Sequence, residues 1–98
     1  MYLVKVISSE NELVVNVCDA ELLNKEFKEG KITLKISEEF YKGEYMSEEN
    51  VIEVISRATI ATFAGKKSVD LAIKCRLIHP ESIIYVNGIP HAMFYRLI

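Results

Sequence analysis

Ninety-eight residues, half of them apolar and about a quarter charged, describe one globular domain spanning residues 1–98 and exclude a disordered chain. Twelve basic against fourteen acidic side chains leave a net charge of −2, so no overall positive field holds a nucleic acid, and RNA binding would need a local patch. No apolar run approaches the about 20 residues of a spanning helix, and Met1–Ile7, interrupted by Lys5, lacks a signal-peptide pattern, so a cytosolic protein with no membrane contact is expected.

Met1–Ile7 and Glu12–Cys18 are β-branched and apolar around the turn composition Ser8-Ser9-Glu10-Asn11, which predicts a β-hairpin. In its second strand both Leu13/Val15/Val17 and Val14/Asn16/Cys18 are largely apolar sets, which predicts a central strand. Asp19 is placed to cap a short helical turn through Ala20–Leu23. Lys25–Gly30 reads as a polar connection around Phe27, and Lys31–Ser37 as a strand with Ile32, Leu34 and Ile36 facing the core.

Ser37–Tyr45 shows neither period and reads as a turn and loop. Ser47 caps a helix whose first turn holds Glu48 and Glu49 and whose apolar stripe starts at Val51. The pattern predicts that this helix runs to about Phe63 and stops at Gly65. A second helix is expected over Lys66–Arg76, blocked by Pro80. Ser82–Val86, Asn87-Gly88 and Ile89–Ile98 form the strands and turn of a closing hairpin, with Pro90 suited to an edge or bulge. The elements add up to an α+β fold: a small mixed or antiparallel sheet, two helices packed on one face, and a C-terminal β-hairpin.

Cys18 and Cys75 are too few for a disulfide scaffold, and with His79 and His91 they contain no ligand knuckle, so neither metal nor cofactor is expected. Gly65-Lys66-Lys67 at a helix start offers an anion or partner contact but lacks the first glycine of a phosphate loop. The loop around Tyr41 places aromatics beside Gly43, a composition suited to stacking on a partner. Cys18-Asp19 ends the central strand and Gly88, Pro90 and His91 lie at the closing turn, so these five residues form a candidate pocket at one end of the sheet, with acid–base potential if Asp19 meets His91.

Cys18-Asp19-Ala20-Glu21-Leu22-Leu23, Lys25, Phe27, Glu29-Gly30, Phe40-Tyr41-Lys42-Gly43, Gly65–Ala72 and Gly88-Ile89-Pro90-His91-Ala92 together resemble the archaeal domain-of-unknown-function family 424 over essentially the whole chain. The closing Pro-His-Ala-Gln of that family reads Pro90-His91-Ala92-Met93 here. The resemblance implies an archaeal cytosolic protein associated with translation or the ribosome. The expectation is a non-enzymatic module binding RNA, the ribosome or a translation-related protein through Gly65, Lys66, Lys67 and Tyr41. Two others stand beside it: a small-molecule binder or small enzyme at Cys18, Asp19 and His91, and a homodimer formed through a sheet edge.

Overall fold

In the computed structural model, which describes residues 1–96, the apolar runs of the first two strands pair as expected. β1 (Tyr2–Ser8) and β2 (Leu13–Asp19) form an antiparallel hairpin with Tyr2 opposite Asp19 and Ser8 opposite Leu13. The polypeptide then leaves the sheet through a 3-10 turn, Ala20–Leu22. Next comes an antiparallel ribbon of β3 (Glu26–Glu29) and β4 (Ile32–Lys35), followed by the one-turn helix α1 (Glu38–Tyr41). The edge strand β5 (Glu44–Met46), helix α2 (Glu48–Ser56), strand β6 (Ile60–Ala64) and helix α3 (Lys66–Lys74) follow. A 3-10 turn at Pro80–Ser82 leads into the closing hairpin of β7 (Ile84–Val86) and β8 (Ile89–Tyr95).

Six strands form one mixed sheet in the order β5-β1-β2-β6-β8-β7. The pairing of β2 with β6 is parallel and the others are antiparallel. This is the expected α+β arrangement with a C-terminal hairpin. The expected Ile98 end of the last strand lies outside the described residues.

Several local expectations give way. The helix starting at Ser47 ends at Ser56, and Ile60–Ala64, expected as its last turns, is a strand next to the centre of the sheet. Ala61, Thr62, Phe63 and Ala64 are all buried, so both faces of β6 are covered. A strand apolar on both sides shows no period of two and merges with the helical stripe before it. The polar stretch after Lys25 is β3, because Phe27 faces Leu34 across the ribbon and both pack on the small core beneath. Leu34 in β4 and Ile36 just after it turn inward; Ile32, near the ribbon tip, stays exposed. The Ser37–Tyr45 segment contains α1, with the Ser37 hydroxyl accepting from Phe40 N–H at 3.3 Å, and then β5.

The sheet separates two cores. On the helix face Tyr2, Val4, Val15, Val17, Ala61, Phe63 and Ala92 pack against Val51, Val54 and Ile55 of α2 and Val69 and Ala72 of α3. On the outer face Leu3, Cys18 and Ala64 lie under Ile36 and Tyr41, with Leu22, Leu23, Phe27 and Leu34 around them. The β3–β4 ribbon and α1 cover only one end of that face.

The edge strand β5 depends on a close backbone approach at Gly43, where an added Cβ would run into the carbonyl of Val4. Gly43→Ala must displace β5 from β1, and we expect a loss of about 2 kcal/mol or more. Urea denaturation of the two proteins measures it, and an unchanged midpoint would show that β5 contributes little to holding the sheet.

Candidate functional site

The site begins where β2 and β6 end side by side. Cys18 is in register with Ala64 and Ala64 with His91, so the ends of β2 and β6 lie beside the first half of β8. Because side chains alternate, Cys18, Ala64 and His91 point to the outer face and Asp19 points to the helix face. Asp19 is 5% exposed and sits under the first turn of α3. Its Oδ1 accepts from Ser68 N–H and Ser68 Oγ, both at 2.8 Å, and its Oδ2 accepts from Lys67 N–H at 3.1 Å. The capping role expected of Asp19 thus exists but serves a helix almost 50 residues away, while its own 3-10 turn receives no side-chain cap.

Gly65 makes this approach possible. Its φ of +103° lies in the region that favours glycine, and a Cβ there would collide with the Asp19 carboxylate. Gly65 N–H donates to the Pro90 carbonyl at 2.9 Å, whereas its own carbonyl accepts from Val69 N–H in α3. Pro90, which has no N–H to give, therefore sits opposite a carbonyl already taken, which explains a proline inside a paired strand.

The residues nominated at this end are thereby sorted onto two faces. Gly88, Pro90 and Lys66 line a groove of about 260 Å³ on the helix face with Val69, Asp70 and Tyr85. Lys66 Nζ is 2.8 Å from Asp70, whose hydrogen bond raises the ammonium pKa, and Lys67 Nζ lies 5.0 Å over the Tyr2 ring. Cys18 and His91 are on the other face, two strands apart, roughly 10 Å at ~4.8 Å per strand. Burial, with Asp19 and Glu21 adding to it, pushes the Cys18 thiol up to about 12, far from a thiolate at neutral pH. Burial alone lowers the half-buried His91 imidazole below its ordinary value, with no contribution from a carboxylate. Asp19 and His91 are therefore neighbours along the sheet end but form no acid–base pair.

Tyr41, expected as a partner contact, is 1% exposed. Its ring is a core element of the outer face, edge-on to Phe40 at 5.1 Å between centroids, and burial raises its hydroxyl. Both cysteines are free, and no cluster of metal-ligating side chains occurs among the described residues.

The outer face holds residues that sequence reasoning did not single out. Beyond the ribbon and α1 the row Ile7–Val14–Ile60–Tyr95 crosses four strands, and Lys5–Asn16–Thr62–Met93 crosses them one step nearer the covered end. Ile7 is exposed, and Met93 and Tyr95 are each 60% exposed. Asn16, wholly buried beside Thr62, donates through Nδ2 to the Phe40 carbonyl at 3.0 Å, but its Oδ1 has no partner among the described residues. The alternation of Met93 and Tyr95 in the last strand, and an amide inside the apolar run of β2, were the available signals.

A mixed six-stranded sheet with two helices on one face and a half-open second face defines an α+β protein without a recognisable catalytic constellation among its described residues. A family model for a protein of unknown function, DUF424, matches residues 7–97, and the chain belongs to that family. Its fold is similar to the crystal structure of an uncharacterized conserved protein from Methanopyrus kandleri, with a TM-score of 0.77, 23% identity, and coverage of 99% of this chain and 95% of the other. No curated protein matches the chain.

Two measurements probe this end of the sheet. Asp19→Ala removes three hydrogen bonds from the start of α3, and a loss of about 2 kcal/mol is expected, against a few tenths for the exposed Glu21→Ala. Equal denaturation midpoints for the two variants would contradict the capping role. His91 has a folded pKa below its unfolded one, so protonation favours the unfolded chain. Its stabilising contribution is complete above the unfolded value near 6.5 and falls as pH drops below it. Thermal midpoints between pH 8 and pH 5 should decline more for the parent protein than for His91→Gln.

Proposed function

We propose that this chain is a non-enzymatic cytoplasmic binding module whose partner is a protein, docked on the uncovered half of the outer sheet face. The family resemblance makes a translation- or ribosome-associated protein the partner to seek. The observation that carries the reading is the row of Ile7, Val14, Ile60 and Tyr95 beside Met93, an apolar surface across four strands that neither α1 nor the ribbon covers. Contiguous exposed apolar surface of this kind marks interaction sites.

RNA fits less well. The anion position at the start of α3 is filled by the chain's own Asp19 carboxylate, and Lys66 is already paired with Asp70. The net charge of −2 supplies no compensating field. Catalysis at Cys18 and His91 is disfavoured by their separation and by the raised thiol pKa.

The test is retention of a partner from native extract, with and without nuclease. Ile7→Glu places a carboxylate at the β1 end of the uncovered row at an exposed position, so it should abolish retention while moving stability by no more than about 0.5 kcal/mol. Lys66→Glu with Lys67→Glu should leave retention unchanged. Loss of the partner on nuclease treatment, or on lysine reversal and not on Ile7→Glu, would replace this reading with RNA contact at the α3 corner.

A further inference from the structure

We infer that the free edge of β8 pairs with β8 of a second copy of this chain, giving a continuous sheet through a two-fold dimer. The inference rests on the reading of the outer face as a binding surface and names one occupant for its β8 margin.

The edge follows from strand lengths. β8 spans seven residues but β7 pairs with only three of them, Ile89 to His91, so the stretch from Ala92 onward has β6 on one side and nothing described on the other. Backbone direction alternates along the strand. Gly65 N–H donates to the Pro90 carbonyl and Arg96 N–H to the Thr59 carbonyl, so the even-numbered residues of β8 address β6. Met93 and Tyr95 therefore turn their N–H and C=O groups outward, past the end of β7. Four backbone groups in a row at a sheet edge are a template for strand addition.

The chemistry of that edge selects a copy of itself. Natural edges are blunted with lysines, prolines facing the free side, or bulges, and from Ala92 to Tyr95 there is no charge. Pro90 is the only proline in the strand, and it lies where β7 already covers the edge. An antiparallel partner centred on Phe94 places Met93 opposite Tyr95 within the same free stretch, and registers shifted toward His91 drive one strand into β7 of the opposite copy. In this register Met93 of each copy forms hydrogen-bonded pairs with Tyr95 of the other, so all four outward-facing groups on both chains are satisfied. The side chains of Met93 and Tyr95, each 60% exposed in the isolated chain, meet on the outer face as sulfur–aromatic pairs. On the helix face Phe94 lies opposite its own copy, and Arg96, whose guanidinium stacks 5.2 Å over Phe94, lies opposite Ala92, so no like charges are opposed. The contact is isologous and closes after two copies. Five residues of strand pairing bury less than a standard interface, so a reversible, concentration-dependent dimer is expected.

Sedimentation velocity with light scattering across concentrations up to about 1 mM reads the oligomeric state directly. The parent protein should pass from monomer to dimer, and Met93→Pro should remain a monomer throughout. The Met93 N–H faces away from β6, so a proline there leaves the β6–β8 ladder intact, which circular dichroism and a thermal midpoint check. Should that variant fold poorly, Met93→Cys with Tyr95→Cys in a Cys75→Ser background decides the register. Hydrogen-bonded pairs with Cα atoms about 5.5 Å apart suit a disulfide, so oxidation should yield a covalent dimer linked from position 93 of one copy to position 95 of the other. A parent protein monomeric at the highest concentration, a dimer that neither variant affects, or growth into longer assemblies would each overturn the inference. Retention of an extract partner that is lost on Ile7→Glu, three strands away from β8, together with a monomer here, would leave the binding reading standing and remove the second copy as occupant.

Discussion

The Asp19 carboxylate is the contact on which the rest of this fold depends. It closes the central strand β2, satisfies two backbone donors at the start of α3, and requires a residue without a Cβ at Gly65. Through Gly65 it is coupled to β8, whose Pro90 carbonyl receives the Gly65 N–H. One buried acid therefore joins two strands, a helix and the closing hairpin. A buried carboxylate is stable only where donors replace its lost water, and here the unsatisfied N–H groups of a helix end provide them.

That arrangement also changes what the α3 corner can do. A glycine followed by two lysines at a helix start has the composition of an anion site, yet the anion is built into the chain. The lysines are left as surface groups held by Asp70 and by the Tyr2 ring. The charge at this corner is largely balanced before any ligand arrives.

Functional interest moves to the opposite face, because the cover there is shorter than the sheet. A ribbon of two four-residue strands and a one-turn helix bury Leu3, Cys18 and Ala64 but end short of Ile7, Ile60 and Tyr95. The bond from Asn16 to the Phe40 carbonyl fixes α1 at that boundary. The proposed protein partner follows from the character of these rows, which are largely apolar and carry no phosphate-binding cluster among the described residues.

The sequence by itself determined the parts of this protein whose signals are local. Alternation and turn chemistry specified the β1–β2 hairpin and the Asn87-Gly88 turn, Ser47 with Glu48 and Glu49 specified the start of α2, and the combined motifs identified the family. Tertiary structure decided what depends on contacts distant in the chain. Ile60–Ala64 became a strand because both faces are buried from Ala61 to Ala64, an environment that erases the periodicity by which strands are recognised. Asp19 capped α3 and not its own turn because β2 and β6 run parallel and end together. Cys18 and His91 were brought to one face and Asp19 to the other because register in a pleated sheet assigns sides by parity, and parity between strands is set only when they pair.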